Sequence, residues 1–139
     1  MSNDLHIGLF RIIKKPGIMQ GEMLVNGIML GHTSEHPYWP PQGRDSDGPI
    51  FRPLKPGQYR VVISMSEWFG RYLPEIMADD YRDVRIHGSE LVTLRDGDIL
   101  LGKTLTPDGV RDTATVNKVL SNMIGETINT GGKCWIEIK

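Results

Sequence analysis

The chain has 139 residues, of which 39% are hydrophobic and 24% charged, and its formal net charge is -1. This length fits one globular domain with a core of its own, and the composition excludes a disordered chain. Basic residues are spread along the chain, so there is no electrostatic reason to expect nucleic acid or an anionic membrane as a partner. We therefore expect a single β-rich domain over residues 1–139 that binds neither nucleic acid nor membranes.

The cysteine content and the N-terminal segment bear on the compartment. Cys134 is the only cysteine, so it cannot form an intramolecular disulfide, which favours a reducing compartment. No stretch reaches the length of a membrane span. The lysines near the N-terminus follow the apolar run, whereas a signal peptide has them before it. We expect the cytoplasm, or export by a dedicated machine without a signal peptide.

The first elements predicted along the chain are β-strands. Alternating apolar residues predict a strand over Leu5–Lys15. Asn26-Gly27 lies between the apolar runs Glu22–Val25 and Ile28–Leu30. This spacing predicts a hairpin with a type I′ turn, since both central residues need a positive φ. His32–Pro56 then holds six of the nine prolines, which is typical of a functional or mobile loop.

The second half of the chain predicts more strands and one helix. Strand patterns cover Tyr59–Ser64, Asp83–His87, Asp98–Gly102 and Cys134–Ile138. The helix is predicted over about 110–124, capped by Asp112 or Thr113 and ended by Gly125, with a 3.6-residue apolar stripe. The apolar stripe consists of Val116, Val119, Leu120, Met123 and Ile124. The fold class is mainly β, a compact barrel-like or sandwich-like domain with one helix.

A histidine and two aspartates are the candidate catalytic residues. His87 ends a predicted strand, and Asp96 and Asp98 follow about ten residues later around Gly97, so the chain can return to the same cleft. Histidine is the usual general base near neutral pH, and a carboxylate can orient it. The alternatives are a half-buried histidine bonded to neighbouring carbonyls and an exposed Asp-Gly turn.

Further residues are candidates for binding a ligand around this cleft. Arg85, Gly88 and Ser89 flank His87 in sequence, and Gly88 would permit a close approach of ligand or backbone. Tyr38 and Trp39 lie in the proline-rich segment, where aromatic rings either line a groove or plug one end of a barrel.

No motif indicates a metal or a cofactor. There is no HxH, HExxH or CxxC spacing and no phosphate-binding glycine loop, so we expect neither. Cys134 is expected to be a buried small apolar residue rather than a nucleophile, since the only base next to it is Lys133, whose side chain should point to the opposite face of the strand.

The order of five motifs resembles a family of small uncharacterised bacterial and phage-encoded β domains. Members of that family show the patterns IPxGxY, FGxxLP, IRIHxGN and GCILVG. The four segments that correspond to these patterns are KPGQYRV (Lys55–Val61), FGRYLPEI (Phe69–Ile76), VRIHG (Val84–Gly88) and GDILLG (Gly97–Gly102). The fifth motif is the acidic segment HTSEHP (His32–Pro37), which precedes them. The resemblance spans nearly the whole chain.

The family's His-Gly and Gly-Cys pair looks like the site layout of L,D-transpeptidases, which act on bacterial peptidoglycan. The resemblance implies that His87 matches the histidine that activates a cysteine nucleophile. Asp98 stands where that cysteine would be, and Glu90 stands where members often have asparagine. The sequence therefore resembles a nucleophile site whose nucleophile has been replaced.

Three functions remain open from the sequence. The first is a non-catalytic binding or structural module of phage or secretion-associated origin, which takes a cell-wall peptide or a partner protein. The second is a hydrolase that acts on a peptide or cell-wall substrate with His87 and Asp96 or Asp98. The third is an assembly or immunity factor that binds through His32–Pro56.

Overall fold

A computed structural model of the protein describes residues 3–15, 17–35, 52–88 and 96–139. Within these ranges there are ten strands and one helix. In chain order they are β1 (Leu5–Lys15), β2 (Ile18–Val25), β3 (Ile28–Glu35), β4 (Gly57–Met65), β5 (Tyr72–Met77), β6 (Ile86–His87), β7 (Ile99–Gly102), β8 (Thr104–Thr106), β9 (Gly109–Arg111), α1 (Ala114–Asn129) and β10 (Cys134–Ile138).

Eight of the described strands form one sheet, in the order β5-β4-β10-β1-β2-β3-β7-β6, and β8 pairs with β9 in a separate hairpin. The two edges of the large sheet meet: Glu75 in β5 bridges Arg85 just before β6, and Ile76 N donates to Val84 O at 3.0 Å. The sheet is thus nearly closed into a barrel. The predicted fold class, mainly β and barrel-like with one helix, is confirmed.

The core fills the space between the sheet and helix α1. Side chains that alternate along β1, Leu5, Ile7 and Leu9, are buried there together with Val116 and Leu120 of the helix. This is the pattern expected when one face of each strand is buried. Cys134 is also fully buried in this core. Burial is the largest cause that raises the pKa of its thiol, so the core favours the neutral form.

The first and last strands and the first hairpin turn follow the prediction. β1 and β10 have the predicted bounds, and the φ angles of Asn26 and Gly27, 48° and 83°, confirm the type I′ geometry. The expectation that the chain becomes irregular at His32 was wrong. β3 continues to Glu35 because it pairs with β2 on one side and with β7 on the other.

The predicted bounds of the helix were wrong at both ends. Val110 lies in β9, paired with Leu105, and α1 begins after Thr113. Gly125 is inside the helix. The helix ends instead at Asn129, and Gly131, two residues beyond it, has a φ of +90°. Gly131 N and Gly132 N donate to the carbonyls of Ile128 and Thr127. These two hydrogen bonds form the Schellman arrangement that closes helices at a left-handed residue.

Replacement of Gly125 and of Gly131 by alanine is expected to change the stability of the fold in opposite directions. Gly125→Ala is expected to raise the free energy of unfolding by about 0.5–1 kcal/mol, since a helix-interior glycine costs about that much and no atom lies within 4 Å of the added methyl. Gly131→Ala is expected to lower it by about 1 kcal/mol, because its backbone is left-handed. Urea unfolding of both variants checks this. A loss of stability in Gly125→Ala would contradict the bounds of α1.

Among the residues that the structure describes, no helix has the length and apolar content needed to cross a membrane.

Candidate functional site

The end of β6 and the start of β7 bring His87 and Asp98 together. The two strands are parallel, and His87 pairs with Leu100. His87 Nε2 lies 3.3 Å from Asp98 Oδ2, and neither side chain is exposed. At this distance the carboxylate forms an ion pair with the imidazole whenever His87 is protonated. The predicted proximity of His87 and Asp98 is therefore present.

The second oxygen of Asp98 is also directed at the protein. Asp98 Oδ1 accepts a hydrogen bond of 2.9 Å from the backbone N–H of Arg85. One carboxylate thus contacts both the histidine and the strand that carries it. On the imidazole itself, the Phe69 ring packs at a centroid distance of 4.5 Å, tilted by 46°. His87 is therefore held between a buried carboxylate and an aromatic ring.

Helix α1 forms the other wall of the site by packing directly on Gly88. Thr113 Oγ1 donates to the carbonyl of Gly88 at 2.5 Å, and Asn117 Nδ2 donates to Leu101 O at 2.8 Å. A methyl group at Gly88 would overlap the side chains of Thr113 and Asn117. The close approach expected at Gly88 is thus occupied by the first turn of the helix.

A cleft of about 310 Å³ opens between this helix and the strands. We call it the His87 cleft. It is lined by Arg71, Tyr72, Leu73, His87, Gly88, Thr113, Ala114, Asn117, Lys118 and Ser121. None of these described lining residues is acidic, while Arg71 and Lys118 are cationic. The cleft therefore favours a ligand that carries negative charge.

Asp96 does not join His87 in the structure. Its Oδ1 accepts a hydrogen bond of 2.8 Å from the backbone N–H of Arg52, and its Oδ2 lies 3.5 Å from Arg52 Nε. Gly97 between the two aspartates has a φ of +78°. Because of this left-handed turn, the two carboxylates point in different directions. Asp96 contacts Arg52, whereas Asp98 contacts His87 and the backbone of Arg85.

Arg85 was predicted to contact a ligand, but its guanidinium is bonded to the protein. The residue is 2% exposed. Its Nε donates to Asp83 at 2.8 Å, and its Nη2 lies 2.6 Å from the same carboxylate. The remaining N–H groups bond the carbonyls of Ser64, Leu73 and Met65. All five donors of the guanidinium thus have protein partners, and Arg85 joins the end of the β4–β5 pair to β6.

Three predicted binding residues, Ser89, Tyr38 and Trp39, lie outside the described residues, as does Glu90. Most of His32–Pro56 also lies outside them. The predictions that concern these residues stay predictions.

Residues of the His87 cleft that the sequence did not indicate come from β5 and α1. Tyr72 is 68% exposed, and its place in the FGRYLPEI motif was the available signal. Asn117, Lys118 and Ser121 lie on the helix beside its buried stripe. Nothing in the local sequence shows that this face meets His87, because the contact depends on how the helix packs against β6 and β7.

The described residues define the class of the protein: a mainly β domain with an eight-stranded, nearly closed sheet and a buried His–Asp pair beneath a cleft. Comparison of the chain with protein-family models, with curated proteins and with solved structures gave no match.

Proposed function

We propose that the protein is a non-catalytic binding module, related in origin to L,D-transpeptidase-like domains of phage or secretion systems, that holds a peptide in the His87 cleft. The observation that carries the proposal is the placement of Asp98. At the position where the resembled layout has a cysteine nucleophile, a carboxylate is buried, with one oxygen on Arg85 N and the other beside His87 Nε2.

This arrangement supports binding rather than acyl transfer. An aspartate that attacked a peptide carbonyl would form a mixed anhydride, which is a high-energy intermediate, whereas a thiolate forms a thioester. Asp98 is also 2% exposed as a residue and its side chain is fully buried, so neither of its oxygens faces the cleft as an attacking group. His87 is equally buried, and the pair supports the floor of the cleft.

The lining of the cleft supports a peptide that carries free carboxylates, as the stem peptides of the bacterial cell wall do. Arg71 and Lys118 supply positive charge, and Asn117 and Ser121 supply hydrogen-bonding groups. Tyr72 presents an exposed ring beside them, the amphipathic kind of side chain that is enriched at binding surfaces. A peptide segment from a partner protein with the same carboxylates would use the same contacts.

Calorimetric titration with the stem tetrapeptide L-Ala-γ-D-Glu-meso-diaminopimelate-D-Ala tests this function. Lys118→Gln and Arg71→Gln are each expected to weaken binding by about threefold to tenfold, since each removes one charge from the cleft. Lys133→Gln is the matched control, because Lys133 is exposed and does not line the cleft; its affinity is expected to equal that of the wild type. Equal affinities in all four proteins, or no binding at millimolar peptide, would contradict the proposal.

A hydrolase is the second candidate, and the 3.3 Å distance between His87 Nε2 and Asp98 Oδ2 favours it. In that case Asp98 would orient the imidazole and His87 would take a proton from water. Mass spectrometry of the incubated tetrapeptide separates the two functions. The binding module leaves the peptide intact, whereas a hydrolase releases products with the wild type and loses that activity in Asp98→Asn.

A further inference from the structure

A second cleft of about 460 Å³ lies elsewhere on the molecule and shares none of its described lining residues with the His87 cleft. Its apolar surface includes Leu54, Met19, Pro53 and the ring of Tyr81. Leu54 and Met19 are 0% and 3% exposed, so they form a fixed floor. Because Arg11 also lines this cavity, we call it the Arg11 cleft. Its volume is in the range of small-molecule sites.

Arg11 is a buried, oriented hydrogen-bond donor in this cleft. Its side chain is 5% exposed. Its Nε and Nη2 donate to the two carboxylate oxygens of Glu35 at 3.1 and 2.7 Å, and Nη2 also donates to Leu54 O at 2.7 Å. Among the residues that the structure describes, Nη1 has no hydrogen-bond partner. A guanidinium fixed in this way presents its remaining N–H groups without a further loss of side-chain freedom.

The rim of the Arg11 cleft has an excess of positive charge. Arg52 and Lys139 line it and are paired with Asp96 and Glu137. Lys14 and Lys55 line it too, and within the described parts of the chain neither forms an ion pair. No acidic residue is among the described lining. A cationic rim above an apolar floor suits an anion that also has an apolar body. A bare inorganic ion suits it poorly, because such an ion has no apolar surface to pack on the floor.

We propose that the Arg11 cleft binds a small organic carboxylate with an apolar body. The carboxylate accepts hydrogen bonds from Arg11 Nη1 and is attracted by Lys14 and Lys55. The apolar body packs on Leu54 and Met19. This site is separate from the peptide cleft, so it adds a ligand of a different class to the proposed function.

Titration of ¹⁵N-labelled protein with 2-naphthoate, followed by amide chemical shifts, tests the proposal. Saturable shifts are expected at Arg11, Leu54, Lys55 and Tyr81. The neutral analogue 2-naphthylmethanol is expected to bind about tenfold more weakly, because it lacks the charge. Lys14→Gln and Lys55→Gln are each expected to lower the affinity for 2-naphthoate by about threefold to tenfold, and Lys133→Gln is expected to leave this affinity unchanged.

The double variant Arg11→Met/Glu35→Leu tests the role of the Arg11 guanidinium without leaving a buried charge. Its affinity for 2-naphthoate is expected to fall by about tenfold or more, while its circular dichroism spectrum stays that of the wild type. The proposal is overturned by an absence of saturable shifts, by shifts centred on the His87 cleft, by equal binding of the neutral alcohol, or by lysine variants that bind like the wild type. None of these results excludes binding of the stem peptide, because that ligand is assigned to the other cleft.

Discussion

Replacement of Arg85 by methionine is expected to lower the free energy of unfolding by about 3–5 kcal/mol. The substitution keeps an apolar stem of similar length but removes the buried guanidinium. It leaves the carbonyls of Ser64, Met65 and Leu73 without this donor, and the Asp83 carboxylate without its cation. A loss of this size is a large fraction of the total stability of a domain.

Urea unfolding of Arg85→Met and of the neighbouring Arg82→Met checks this expectation. Arg82 is exposed, so its replacement is expected to change the stability by less than about 0.5 kcal/mol. If Arg85→Met were as stable as Arg82→Met, the guanidinium would not join β4 and β5 to β6 as the structure has it. Arg85 would then be available again as a ligand-contacting residue.

Replacement of Arg11 by methionine is expected to cost about 3–5 kcal/mol at neutral pH, because it leaves the carboxylate of Glu35 buried without its cation. The side chain of Glu35 is only 1% exposed. In the double variant Arg11→Met/Glu35→Leu both charges are gone, and apolar side chains fill the space. Most of the lost stability is therefore expected to return in the double variant.

The loss in Arg11→Met is also expected to depend on pH. Burial raises the pKa of Glu35 above its ordinary value of 4.5, while Arg11 acts to lower it. A carboxyl with a higher pKa in the folded state binds more protons when folded, so its stabilising contribution is present below the unfolded pKa and is lost as the pH rises through the folded pKa. Without Arg11 the pKa of Glu35 rises further, and this loss becomes larger.

Urea unfolding at about pH 4.5 and about pH 7.5 separates these effects. The stability deficit of Arg11→Met relative to the wild type is expected to be small at the lower pH and large at the higher pH. The double variant has no carboxyl at residue 35 and serves as the control, with a deficit that changes little. A deficit of Arg11→Met that is equal at both pH values would show that Glu35 is not the cause.

The elements that were predicted correctly are those specified by local pattern. β1 and β10 alternate apolar and polar residues against one core, and the Asn26-Gly27 turn depends on two adjacent φ angles. The helix was displaced because Gly125 looked like a stop signal in sequence. In the structure the stop is set by Gly131, since the buried stripe from Val116 to Ile124 favours continuing the helix past a single glycine.

The candidate site was predictable in place but not in the roles of its residues. His87 and Asp98 meet because His87 ends β6 and Asp98 directly precedes β7, the parallel strand next to it. Asp96 is only two residues from Asp98, but the left-handed Gly97 turns it toward Arg52. Arg85 looked available in sequence because its partners, mostly carbonyls of β4 and β5, lie 12–21 residues away along the chain. Roles set by such distant partners cannot be deduced from the residues next to a motif.

Amide chemical shifts of the ¹⁵N-labelled protein, recorded together with the proton signals of added stem tetrapeptide, show whether the His87 cleft binds this peptide and leaves it chemically unchanged. A binding module without a nucleophile predicts saturable shifts at Tyr72, Gly88, Asn117 and Lys118, with peptide signals that stay unchanged over a long incubation. Peptide signals that convert to those of cleaved or cross-linked products would contradict the claim, and so would an absence of shifts at the His87 cleft.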